Sequence, residues 1–199
     1  TRQEFYGIIQ CETDRLARLV DNMLNISRIE AGIIEIDRDS VDMHELVDRA
    51  VQTLEPHAGE KHITLHTEIA PIGAVVQGDA DMLQQVIVNL LSNGIKYTPE
   101  GGRVTVHVDA DTLTRSVHVA VSDTGLGIAP ADSEHVFEKF FRVENYKRVA
   151  KGTGLGLNLC RHIIETVHQG QIGLDSTLGM GSRFWFSVPM GQLTARVAA

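Results

Sequence analysis

Asn89-Leu90-Leu91-Ser92-Asn93-Gly94-Ile95-Lys96-Tyr97-Thr98-Pro99 is the second half of a segment that Asp79 opens and that Pro99 and the Gly101-Gly102 pair close. An aspartate cap at one end and a Pro/Gly stop at the other predict a helix over 80–97. Leu83, Val86, Ile87, Leu90 and Leu91 recur at helical spacing and supply a face for a core. Asn89, Asn93 and Lys96, at i, i+4 and i+7, form a polar row on another face, with Tyr97 beside them.

Working outward, residues 103–109 and 116–122 alternate Val with polar side chains and are joined by Asp111 to Thr114, which predicts a hairpin at the sheet centre. A second hairpin is expected over 171–175 and 182–188, and a strand over 63–69. Asp42-Met43-His44-Glu45 resembles a capping box, so a helix is expected over 42–59, with His44 on its surface. Helical periodicity returns over 155–168, and a shorter helical stretch is expected from Pro130 to about residue 141. Residues 142–151 are polar and cationic and read as a mobile segment, and the tail over 190–199 reads as frayed. Interleaved strands and helices of this kind define an α/β domain.

Residues 1–31 form a different unit. Pro is absent, and Gly7 is the one glycine before Gly32, so one long helix is expected, about 45 Å at about 1.5 Å per residue. Ile9, Leu16 and Met23 are seven apart, with Phe5, Leu19 and Ile26 interleaved and Glu12 interrupting the stripe. A helix longer than a small domain is wide must place part of that stripe on something outside it. The sequence therefore divides into a helical unit at 1–32, a globular domain at 33–189 and a tail at 190–199.

The chain of 199 residues carries Lys+Arg 18 against Asp+Glu 26, a formal charge of −8. Such acidity argues against a surface built to neutralise nucleic-acid phosphates. Cys11 and Cys160 are too few and too far apart for a disulfide framework or a zinc site, and read as buried thiols. No apolar run approaches the ~20 residues that span a bilayer.

Three glycine-rich clusters remain: Asp123-Thr124-Gly125-Leu126-Gly127, Gly152-Thr153-Gly154-Leu155-Gly156 and Gly179-Met180-Gly181. None is a P-loop or a dinucleotide fingerprint, and each alone is a common turn. Together they suggest more. The first places a carboxylate, Asp123, at a strand end; the second is expected to open a helix at Thr153, where free N–H groups favour phosphate. Between them lie Lys139, Arg142, Lys147, Arg148 and Lys151, suited to screening a triphosphate, although a solvated loop accounts for the lysines equally. On the first-quoted helix, an asparagine amide oxygen can join phosphate oxygens and waters around Mg²⁺.

These segments resemble the sequence boxes of bacterial sensor histidine kinases, of the GHKL superfamily. Asn89 to Pro99 resembles the N box, Asp123 to Ile128 the G1 box, Val136 to Arg142 the F box, Gly152 to Leu157 the G2 box and Gly179 to Phe184 the G3 box. Arg15-Leu16-Ala17-Arg18-Leu19-Val20 and Ser27-Arg28-Ile29-Glu30-Ala31-Gly32 are similar to the second helix of the family's dimerisation hairpin. The resemblance implies a two-layer α/β sandwich of the Bergerat type, a mixed sheet with helices on one face, binding ATP and Mg²⁺. It implies Asn93 as the metal ligand with Asn89 beside it, Lys96 and Arg142 as phosphate contacts, and Tyr97 flanking the nucleotide. Asp123 would accept from the adenine amino group, and Ser182 would add a water-bridged contact. Gly125, Gly127, Lys151, Gly152, Thr153, Gly154, Leu155 and Gly156 would complete the cradle, with Phe137, Phe140 and Phe141 packing the lid. ATP-hydrolysing relatives carry Glu at the position of Asn89 as a general base; its absence suits phosphoryl transfer to an imidazole.

The family's phosphoacceptor motif, His followed by an acid and then Pro, is missing, since His44-Glu45 lacks the Pro. The expectation is a cytoplasmic portion of a sensor whose first hairpin helix and membrane segments lie elsewhere. The intact protein would be a homodimer that passes phosphate to a response regulator. Gly94 stands where Ala is usual, Lys151 where Gly is common, and Gln169-Gly170 where the family has a Gly pair. A protein-serine kinase of the anti-sigma type and a nucleotide-sensing scaffold without transfer activity are the competing readings.

Overall fold

The computed structural model describes residues 2–70, 73–146 and 152–191, apart from the side chains of 2–4, 8, 11 and 145. The expectations for Lys147, Arg148, Lys151, the Cys11 side chain and residues 192–199 lie outside the described residues.

Helix α1 (Arg2–Glu30) leads into strand β1 (Asp39–Asp42), helix α2 (Met43–Glu60) and strands β2 (Thr64–Ile69) and β3 (Val75–Gly78). Helix α3 (Ala80–Tyr97) follows, then the hairpin β4 (Arg103–Asp111) and β5 (Ser116–Asp123). A single helical turn, α4 (Pro130–Ser133), precedes α5 (Gly156–Arg161), which continues as a π-helical segment, His162–Val167. The hairpin β6 (Gln171–Thr177) and β7 (Gly181–Pro189) completes the order.

The main sheet runs β2-β4-β5-β7-β6. β2 is parallel to β4 and every other pairing is antiparallel, so the sheet is mixed, with β5 at its centre. Val104, Val106 and Val108 of β4 and Val117, Val119 and Val121 of β5 are buried on the inner face. The apolar face of α3 lies among them in the core, and Leu83, Val86, Ile87, Leu90 and Leu91 are each fully buried. Each such side chain contributes about 1.5–3 kcal/mol of hydrophobic stabilisation. Gly94 belongs to this packing, because a Cβ there would lie 3.1 Å from Val104. It brings α3 close to β4, a benefit that offsets its poor helix propensity.

α3 has the expected bounds, with the Asp79 carboxylate accepting from Met82 N at 3.0 Å. In α1 the stripe divides. Ile26 and Ile29 are buried in the core and Leu19 packs beside them, whereas Phe5, Ile9, Leu16 and Met23 are more than half exposed.

Four expectations are corrected. The helix after Pro130 stops at Ser133; successive i+3 bonds at His135, Glu138 and Phe141 fold 134–141 into tight turns that bury Val136 and Phe137. The second glycine cluster does not open a helix at Thr153. Gly154 has φ +74°, and Thr153 Oγ1 instead accepts from Leu155 N at 3.4 Å, so α5 starts at Gly156. His44 is only partly at the surface: its side chain is 23% exposed and Nε2 is buried. The tail is bonded at its start, where Met190 bridges Val76 and Gly191 N donates to Val75 O at 3.1 Å. The structure also adds a two-stranded antiparallel sheet of β1 and β3 that the sequence did not announce.

Candidate functional site

A cavity of about 310 Å³ opens between α3, the end of β5 and the segment leading into α5, within the size range of small-molecule sites. Asn89, Asn93, Lys96 and Tyr97 line it from α3, because the face opposite the buried leucines points there. Lys96 Nζ lies 5.2 Å from the Tyr97 ring centre, a cation–π arrangement. Burial lowers the Lys96 pKa, and the positive charges of Arg142, Arg15 and Arg18 lower it further. Burial pushes the Tyr97 phenol up, opposed by the Arg142 guanidinium.

Asp123 closes another side. Its Oδ1 accepts from Gly125 N at 2.8 Å and from Ser182 N at 3.2 Å. Burial raises its pKa while those two N–H groups pull it down. Both donors use the same oxygen, which leaves the lone pairs of Oδ2 for a ligand. Gly127, Arg142, Gly152, Thr153, Gly154, Gly156 and Ser182 also line the cavity.

Two expected cradle residues do not. Gly125 sits behind Asp123, where a Cβ would clash with Tyr97 O at 2.6 Å; its part is to orient the carboxylate. Leu155 is 1% exposed and packs in the core, since the turn at Gly154 directs it inward. Of the three phenylalanines, Phe141 lines the cavity, Phe137 packs edge-on to Phe184 with ring centres 6.3 Å apart, and Phe140 is 55% exposed.

Sequence reasoning missed Tyr146. It sits within the segment read only as cationic, yet its hydroxyl donates to Gly127 O at 2.6 Å and its ring lies 6.0 Å from that of Tyr97. It ties the lid segment to the first glycine cluster. Also missed were Arg15, Arg18 and Asn22 of α1, which line the same cavity. Their spacing of three and seven was visible; which domain lay beside that face was not. Cys160 is inert, its thiol pushed up to about 12 by burial.

The cavity gathers guanidinium and ammonium groups, three side-chain amides and a carboxylate, a set chemically suited to a polyanion carrying a hard cation. Residues 78–192 match the family described as histidine kinase-, DNA gyrase B- and HSP90-like ATPases, and the chain belongs to that family. It is similar to the sensor-like histidine kinase SenX3 of Mycolicibacterium smegmatis, 37% identical over 95% of this chain and 48% of that protein. Among solved structures it resembles full-length ShkA in complex with AMPPNP, with a TM-score of 0.80 and 30% identity, covering 95% of this chain and 39% of that one. It also resembles histidine kinase ThkA in complex with the response regulator protein TrrA, with a TM-score of 0.76 and 25% identity over 96% of this chain and 52% of that one. The chain spans from about a third to a half of the length of the curated relatives it matches. The fold and relatives are those of a histidine kinase ATP-binding catalytic domain. Among the described residues no helix is long and apolar enough to cross a membrane.

Proposed function

We propose that this chain binds Mg-ATP and transfers the γ-phosphoryl group to a histidine on a dimerisation domain, for relay to an aspartate of a response regulator. Residues 1–32 act as the second helix of the dimerisation hairpin and 33–189 as the catalytic domain. The observation that carries this reading is one cavity holding the Asn89, Asn93 and Lys96 row together with Asp123.

Asp123 selects adenine through Oδ2, and Tyr97 flanks the base. Lys96 and Arg142 screen the phosphates, with Gly152, Thr153, Gly154 and Gly156 letting the backbone approach them. Asn93 would hold Mg²⁺ through its side-chain amide oxygen, a hard donor of the kind that ion takes. The ion would neutralise charge on the triphosphate. In the transfer the acceptor imidazole nitrogen forms a bond to the γ-phosphorus as the bond to the β,γ-bridging oxygen breaks, and ADP leaves. Among the described residues that line the cavity, Asn89 is an amide and cannot act as a base for water, which favours transfer over hydrolysis.

The intact protein is read as a homodimer, with exposed Phe5, Ile9, Leu16 and Met23 available to partner helices in a four-helix bundle. It is read as a cytoplasmic portion, reaching a membrane only through segments outside this chain. The test supplies the first hairpin helix, with its phosphoacceptor histidine, in trans with Mg-ATP. Acid-labile phosphohistidine on the added helix is expected; phosphoserine, or no transfer despite nucleotide binding, would overturn the reading.

A further inference from the structure

The face of α1 that meets the catalytic domain changes character along its length. Toward its end it is apolar, with Ile26 and Ile29 buried in the core. About one to three turns earlier the same face presents Asn22, Arg18 and Arg15, at spacings that continue the row, and all three line the cavity. Arg15 Nη2 lies 3.4 Å from Gly152 O. Gly152 is also where Lys96 and Arg142 converge, since a Cβ built on it would lie 3.0 Å from Lys96 Nζ and 3.9 Å from Arg142 Nε.

Four cationic side chains, from α1, α3 and the lid segment, are thus gathered around one small space. Asp123 is the one carboxylate among the described residues that line it. Arg15 also pairs with Glu12 at 3.1 Å, but that pair is on the exposed surface of α1, where it is screened. Gathering like charges raises the free energy of the protein without a ligand: burial lowers the Lys96 pKa first, and the charges of Arg142, Arg15 and Arg18 lower it further. The Arg15 bond to the Gly152 carbonyl, at 3.4 Å, is long and weak beside such repulsion. A polyphosphate offsets it, through several charge-assisted hydrogen bonds at once.

We propose that Arg15 and Arg18 of α1 form part of the polyphosphate seat, so that the terminal phosphates are held between the helical unit and the catalytic domain. The inference rests on the nucleotide reading above and deepens it. Bound triphosphate then fastens α1 to the domain, whereas a nucleotide with fewer phosphates leaves that side of the seat unfilled. Occupancy of the γ position is in this way reported to the helix expected to dimerise.

The test measures affinity of the whole chain for AMPPNP, ADP and AMP by calorimetry, in the parent and in Arg15→Gln, Arg18→Gln and the double variant. Each single variant is expected to weaken AMPPNP about tenfold, ADP less and AMP not at all. The loss should shrink at high salt, where the parent affinity also falls. Unchanged AMPPNP affinity would overturn the proposal. So would tighter binding, which would make the arginines an occluding plug, or an equal loss for all three nucleotides, which would make them structural. A parent chain that binds none of the three would overturn the nucleotide reading itself, and this proposal with it.

Discussion

The side-chain amide of Asn158 donates to the carbonyl of Phe137 at 2.8 Å, fastening the first turn of α5 to the tight turns that precede Arg142. Both partners are buried, Asn158 at 2% exposure and Phe137 at 9%. Asn158→Ala should leave the Phe137 carbonyl without its donor and cost about 1–3 kcal/mol, read as a lower urea midpoint. Because that carbonyl anchors the lid turn, AMPPNP affinity should fall with it. A variant as stable as the parent would mean that the backbone bonds and apolar contacts of the turn hold it without this side chain.

Gln169 occupies the left-handed region at φ +54°, in the turn between the π-helical segment and β6. That conformation costs a non-glycine residue roughly 1–2 kcal/mol, and a glycine relieves it while adding freedom to the unfolded chain. Gln169→Gly should therefore stabilise the protein by up to about 1 kcal/mol, seen as a higher urea midpoint with an unchanged slope. Gly170 is the control. A Cβ there would lie 2.0 Å from Ser187 O, so Gly170→Ala must be strongly destabilising.

The two substitutions show what was legible in the chain and what was not. α3 could be bounded from its cap, its Pro and its five apolar positions, because all of these are local. The β4–β5 and β6–β7 hairpins were equally local, the strands alternating and the turns short. β1 and β3 were not, since each is four residues long and their partners are more than thirty residues apart. The α5 start was misplaced because Gly154 and Thr153 close a turn where spacing alone suggested helix. Asn89, Asn93, Lys96 and Asp123 were legible from their boxes. In the sequence Arg15 and Arg18 show only a likeness to a dimerisation helix, since an isolated helix does not reveal its neighbour.

His168 is 8% exposed and bonded at both ring nitrogens: Nδ1 lies 2.9 Å from Ile163 O, and Nε2 accepts from Asp79 N at 3.1 Å. That pattern assigns a neutral ring with the proton on Nδ1. Burial lowers its pKa, with the Ile163 carbonyl opposing. The folded value lies below the unfolded one, so on acidification the unfolded chain takes up the proton first. The contribution is complete above about pH 6.5 and is lost as pH falls through the depressed folded value. His168→Gln should lose less stability than the parent between about pH 7.5 and pH 5.5, measured by urea unfolding at each pH. Identical losses would show that other groups govern this window.

Asp123 gives the sharpest test of base selection. Its Oδ1 is held by two backbone N–H groups, so rotation of the carboxylate is restricted and Oδ2 must face whatever binds. An ionised carboxylate accepts from an adenine amino group, whereas guanine would set its carbonyl oxygen against it. In Asp123→Asn the backbone N–H groups keep the amide oxygen, which turns the NH₂ toward the base and sets donor against donor. Affinity for AMP should drop roughly tenfold or more, and the preference for AMP over GMP should collapse or invert. The parent should lose AMP affinity on acidification above the usual aspartate range, because burial raises the Asp123 pKa and only the ionised form accepts. Calorimetric titration of both nucleotides across pH decides it: an unchanged AMP-to-GMP ratio in the variant would remove Asp123 from base recognition.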